Sequence, residues 1–157
     1  MLLLIIINNI SIMKLTSIIL ACMALGSAAS FAEEDHSIRC DANPPGSVVI
    51  IDERLYVVVD NGLLRQEDYW QNFIHGKIEL CTSHVTDMSD LFAQSPYFNY
   101  DISQWDTRRV TNMDRMFKGA KRFKQDLSNW SVEKVTRHQD FALQSGLPDY
   151  YLPQFQS

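Results

Sequence analysis

The chain is poor in the residues from which reaction centres are assembled. Its four histidines, His36, His75, His84 and His138, are scattered along the sequence. A histidine acting as a general base needs an oriented partner and a nucleophile or metal within reach. No G-x-S-x-G, H-E-x-x-H or phosphate-loop pattern occurs. The three cysteines form no C-x-x-C pair, which argues against a redox couple or a zinc knuckle. These shortages lead us to expect a protein that is not an enzyme and holds no metal or cofactor. Positive charge is also short, with 14 basic against 19 acidic residues and a formal net charge of −5. That argues against nucleic acid as a partner and against an electrostatic grip on anionic lipid. At 157 residues, 46% hydrophobic and 21% charged, the composition is that of one modest folded domain.

The N-terminal stretch reads as a secretory signal peptide over residues 1–32. Met13-Lys14 supplies a basic start, Leu15 to Leu25 an apolar core, and Ser30-Phe31-Ala32 a small-x-small cleavage site. Residues 1–12 carry no positive charge before their apolar run, which leads us to expect the true start at Met13. The alternative is a longer, uncleaved anchor. The core is short for a bilayer-crossing helix, so no transmembrane span is expected in the mature chain. Cys22, after Ile19-Leu20-Ala21, loosely resembles a bacterial lipidation site. Its alternative fate is to be discarded with the signal peptide. Either way the protein is expected to be exported: periplasmic, secreted or at the cell surface. Losing Lys14 with the leader takes the net charge from −5 to −6. Cys40 and Cys81 then remain, and an even pair in an exported chain reads as a disulfide.

Residues 33–80 read as a leader followed by an N-terminal hairpin and helix. Asn43-Pro44-Pro45-Gly46 marks a turn. Val48 to Ile51 and Leu55 to Val59 are β-rich and joined by Asp52-Glu53-Arg54, as in a hairpin. Asp60-Asn61-Gly62 suits a helix start, with the helix running from Leu63 to about Phe73 and closed by Gly76. Ile78-Glu79-Leu80 reads as a short strand leading into Cys81.

What the chain has in plenty is self-similarity. Residues 85–109 and 110–134 match at eight of 25 positions without a gap. Val85-Thr86 answers Val110-Thr111, Phe92 answers Phe117, Phe98 answers Phe123, Asp101 answers Asp126, and Trp105 answers Trp130. With their lead-in these two repeats span residues 81–134, and residues 135–157 read as a degraded third repeat and C-terminal cap. A short period of this kind marks a stack of units, each covering its neighbour's apolar face. Met113, Met116, Phe117 and Ala120 fall at i, i+3, i+4 and i+7, the spacing of one helix face. Thr111 is placed to cap that helix, with Asp114 three residues on. Met88, Leu91, Phe92 and Ser95 repeat the spacing, capped by Thr86. The expected fold class is therefore an α/β (α+β) short solenoid, leucine-rich-repeat-like, each unit a short helix plus an extended segment. The expected repeat core is Met88, Leu91, Phe92, Phe98, Ile102 and Trp105 with Met113, Met116, Phe117, Phe123, Leu127 and Trp130.

These motifs have a familiar form. V-T-D-M-S-D-L-F (85–92), D-I-S-Q-W-D-T (101–107), V-T-N-M-D-R-M-F-K-G-A (110–120) and D-L-S-N-W-S-V (126–132) resemble the 25-residue surface repeat of BspA-family leucine-rich-repeat-like proteins. The same repeat occurs in mycoplasma lipoproteins of unknown function. The resemblance covers about residues 40–155 and is strongest over 81–136. It implies an exported, often surface-attached bacterial protein associated with adhesion or protein–protein contact. The chain departs from the pattern in having only two full repeats, in varying the Phe-Asn-Gln element at Phe98-Asn99-Tyr100 and Phe123-Lys124-Gln125, and in placing Ser131 where an aspartate follows the tryptophan.

The expected function is an adhesion-type or protein–protein binding module, with proteins of the cell envelope or of a host surface or matrix as partners. Alternatives are a purely structural, disulfide-stapled envelope protein or lipoprotein without a specific ligand, and a hydrolase using His84. Side chains between the core positions are the candidate contacts: Gln104, Thr107, Arg108, Asn129 and Glu133. Arg115 and Lys121 join them from a basic run on the second repeat. Asp101 and Asp126 read either as a calcium-binding edge or as carboxylates accepting turn N–H groups.

Overall fold

The computed structural model describes residues 36–156. The expected signal peptide over residues 1–32, the start at Met13 and the lipidation alternative at Cys22 lie outside that range. Among the described residues no helix is long and apolar enough to cross a membrane.

The N-terminal part builds as its β-branched runs dictate. Strand β1 (Val48–Ile51) pairs antiparallel with β2 (Arg54–Val58), with Ile51 opposite Arg54. Asp52 and Glu53 join them, both with positive φ (49° and 64°). That is the backbone sign a right-twisted two-residue hairpin demands. Asp60 Oδ1 accepts the N–H groups of Gly62 and Leu63 and opens a single 3-10 turn at Leu63–Arg65. Gln66 is extended, and helix α1 (Glu67–Ile74) follows. Gly76, at φ 65°, turns the chain into β3 (Glu79–Cys81), which pairs parallel with β2. The result is one three-stranded mixed sheet in the order β1-β2-β3. Cys40 and Cys81 are joined as a disulfide, tying the leader to β3.

The repeats overturn the fold class expected from periodicity. α1 is the single α-helix among the described residues and lies outside the repeats. The chain is therefore not a helix-plus-extended-segment solenoid of the leucine-rich type, and the segments after Thr86 and Thr111 are runs of turns. Backbone sign is the reason. Asp90 and Gln94, Arg115 and Gly119, and Asp140 and Gln144 all have φ between 54° and 75°. A left-handed residue every fourth position breaks the i to i−4 bonding that defines a helix. The N–H groups alternate instead. Those of Leu91, Ala93 and Ser95 bond three residues back within their own copy. Those of Met88, Asp90, Phe92 and Gln94 cross to the carbonyls of Asn112, Asp114, Met116 and Lys118, at 2.8–2.9 Å. Met113, Arg115, Phe117 and Gly119 cross in turn to Arg137, Gln139, Phe141 and Leu143. Parallel bridges Asp87↔Asn112 and Asn112↔Arg137 mark the start of this ladder. Thr111, expected as a helix cap, serves it too: its Oγ1 donates to the Thr86 carbonyl, and Thr136 Oγ1 donates likewise to that of Thr111.

The core runs beneath the ladder. Of the expected repeat-core residues all are buried except Leu91, which is partly buried and packs against them. Phe92 and Phe98 stack at 3.9 Å between centroids, as do Phe117 and Phe123 at 4.2 Å. The pairs sit on each other through Phe92–Phe117 and Phe98–Phe123. Trp70 of α1 packs on Phe92 and Phe98 at the near end. At the far end Phe141 meets Phe117 edge-on, and Phe155 lies against Phe141 and His138. Ala142 and Pro148 stand 25 residues after Phe117 and Phe123, so the third copy lacks the stacked pair.

Candidate functional site

The segments following Phe98 and Phe123 are extended and loop twice into tight turns. Each begins with a carboxylate that fixes the turn: Asp101 Oδ1 accepts the Ser103 N–H, and Asp126 Oδ1 accepts the Ser128 N–H and hydroxyl. Each then sends a leucine or isoleucine and a tryptophan inward. The polar residue between them, Gln104 or Asn129, is left at the surface. The leader passes alongside, with the Ile38 N–H donating to the Gln104 carbonyl at 2.9 Å.

Between the leader and the two copies lies a groove of about 340 Å3. His36 and Ser37 form the leader side; Ser103, Gln104, Trp105 and Thr107 come from the first copy, and Asp126, Asn129 and Ser131 from the second. A smaller cleft of about 100 Å3 adjoins it across Gln104 and Trp105, and contains Glu79 and Asp101. Burial raises the Glu79 carboxyl above its ordinary value; Arg54 opposes this and Asp101 adds to it.

Of the residues expected to bind, Gln104, Thr107 and Asn129 come together in the larger groove; Arg108, Arg115, Lys121 and Glu133 do not line it. Thr107 is buried and donates to the Ser131 carbonyl. Arg108 is engaged within the chain, donating to Asp106 and to Asp41. Arg115 clasps Asp90 through two nitrogens at 2.8 and 2.7 Å. Lys118 pairs with Asp140, and Arg137 with Asp114. Arg115 and Lys118 of the basic run are thus matched, copy to copy, by carboxylates. Glu133 accepts from the Ser131 hydroxyl, and Lys121 is exposed. His84 makes a 2.9 Å contact from Nε2 to the Asn43 carbonyl, which pins the leader.

Sequence reasoning missed the polar network beneath the groove. The Cys40 N–H donates to Ser83 Oγ, which donates to Asp106 Oδ2 at 2.8 Å. The Asp106 side chain is fully buried and its carbonyl accepts from Thr82. Burial by itself would raise its carboxyl; hydrogen bonds from Arg108 and Ser83 outweigh that and hold it below the ordinary range. The bonds to Asp106 and, after it, to Asp41 raise the Arg108 guanidinium. A signal for this was on view in the replacement of the aspartate by Ser131 in the second copy: only the copy next to the leader needs the charge.

No curated protein and no solved structure matches the chain. The similarity that does emerge runs from α1 to the end of the third turn run: residues 68–145 match the family described as Mycoplasma protein of unknown function, DUF285.

Proposed function

We propose that this chain is an exported, non-catalytic binding module that holds a polar segment of another protein, from the cell envelope or a host surface or matrix, in the groove beside Gln104 and Asn129. The observation that supports this reading is the pair of side-chain amides. Both face the groove at equivalent positions of the two copies, and neither makes a hydrogen bond to a described residue. An amide presents two donors and an acceptor, which suits the backbone of an extended partner. The resemblance to BspA-family surface repeats adds weight on the side of protein contact. The structural alternative draws support from the ion pairs that occupy Arg108 and Arg115 and leave them less able to attract an acidic partner.

The test is capture of purified envelope and host-matrix proteins by the native chain and by the double variant Gln104→Ala, Asn129→Ala. Both substitutions are at exposed positions and should leave the thermal midpoint unchanged. A partner that binds the native chain at least tenfold more tightly than the variant supports the reading. Equal binding by both, or no partner at all for correctly oxidised protein, moves the weight to the structural alternative.

A further inference from the structure

The ladder between copies has a direction. Within the turn runs, residues 88–94 and 113–119, the crossing bonds run from an N–H of one copy to a carbonyl of the next. Each turn run therefore has a row of acceptors facing the N-terminal side and a row of donors facing the other; the bonds that run back, such as Thr111 N–H to the Thr86 carbonyl, lie outside these rows. The acceptor row of the first copy is partly taken: the Arg65 guanidinium donates to the carbonyls of Asp87 and Ser89, two of its four, and Trp70 of α1 packs on the same end of the stack. The donor edge of the third copy is not taken. Its N–H groups equivalent to the crossing donors are those of His138, Asp140, Ala142 and Gln144, and no described residue accepts from any of them. Asp140 and Gln144 keep the left-handed backbone that makes alternate N–H groups point the same way. Beside this edge Leu143 is 46% exposed, and Ala142, Leu152 and Phe155 are only partly covered.

We propose that this edge docks one further turn unit of the same 25-residue kind, carried by another polypeptide. The choice of occupant rests on hydrogen-bond polarity. A regular β-strand edge presents N–H and C=O groups in alternation, so against an all-donor edge half of its groups would be mismatched. The acceptor edge of a turn unit is all carbonyl, and it is what satisfies the same donors in both inner copies. A second copy of this chain fits poorly, because Arg65 takes two of the four carbonyls and Trp70 of α1 already packs on that end of the stack. Isolated N–H rows of this sort also attract anions, which makes an acidic peptide the competing occupant. This surface is separate from the groove and does not depend on the reading given for it.

The experiment is residue-resolved amide hydrogen exchange on the full, oxidised chain. In the free protein the amides of Asp140, Ala142 and Gln144 should exchange quickly, while those of Arg115, Phe117 and Gly119 are protected. A synthetic peptide with the sequence of residues 110–134 should then slow His138, Asp140, Ala142 and Gln144 by about tenfold or more. A second form carries the same 25 residues on a flexible Gly/Ser tether after Ser157. The tether raises the local concentration to the millimolar range and offsets the cost of ordering the unit. Protection of the alternate amides in either form, absent with a scrambled peptide, supports the proposal. Three results overturn it: no protection even in the tethered form, equal protection by polyglutamate, or edge amides already protected in a free chain that sediments as a dimer.

Discussion

Gly146 sits where the chain leaves the third turn run and donates its N–H to the Ala120 carbonyl. A Cβ built there would lie 2.3 Å from the Lys121 carbonyl oxygen and 3.1 Å from that of Phe123. Both obstacles are backbone, so neither can swing aside. Gly146→Ala should destabilise the protein by about 2 kcal/mol or more, the size of an overpacked core site, read as a lowered urea midpoint. Gln144 presents the opposite case. It holds φ 60° with an exposed side chain that makes no hydrogen bond to a described residue. Glycine already occupies the equivalent position in the second copy, at Gly119. Gln144→Gly relieves the left-handed penalty, and a gain of up to about 1 kcal/mol is expected in the same assay. A lowered midpoint for that variant would refute the strain argument.

At the scale of elements, the leader is tied to β3 by the disulfide and a small apolar cluster of Cys40, Tyr56, Val58 and Cys81, and to the repeats by polar links. The disulfide closes a separation of 41 residues. Replacing both cysteines by alanine should cost about 4 kcal/mol in the chain-entropy model. The second link is Asp106, held by Ser83 and Arg108, with Arg108 reaching on to Asp41. Asp106→Asn keeps the shape but leaves Arg108 without its buried carboxylate. We expect a loss of about 3 kcal/mol, as for breaking one side of a buried pair, measured by chemical denaturation with the disulfide intact. A loss under about 0.5 kcal/mol would show that water replaces the carboxylate without penalty. The element the sequence misled us about is the turn run. Its apolar residues fall at i, i+3, i+4 and i+7, and that spacing fits a helix and a chain of three-residue turns equally well. Composition does not separate the two, because glycine marks only one of the six left-handed positions, and the aspartates, glutamines and arginine at the rest are compatible with a helix.

Across the whole molecule, ion pairs sit at junctions: Arg115–Asp90, Lys118–Asp140 and Arg137–Asp114 bridge neighbouring copies, and Arg65–Asp87 and Arg108–Asp41 join the first copy to the segments before it, so pH acts on the junctions. In Asp87 and Asp106, burial raises the carboxyl but hydrogen bonding outweighs it; in Asp90 the bonds from Arg115 dominate. All three are held below the ordinary carboxylate range. Their contribution is therefore fully present above about pH 4 and is lost as pH falls through the lowered folded values. A thermal midpoint that is flat near neutrality and falls steeply below about pH 4 is expected, with Asp106→Asn showing a shallower fall. An unchanged acid profile in that variant would assign the effect to the exposed pairs instead. The 25-residue period, the identity of the buried aromatics, the hairpin and the pairing of Cys40 with Cys81 were all legible in the sequence, because each rests on residue type and spacing alone. So was the exposure of Gln104 and Asn129 between inward-facing neighbours. The backbone state of the repeats was not legible, nor was the meeting of leader and copies that shapes the groove and buries Asp106. Those depend on which N–H finds which carbonyl across 25 residues, and only the assembled structure decides that competition between bonding within a copy and bonding to the next.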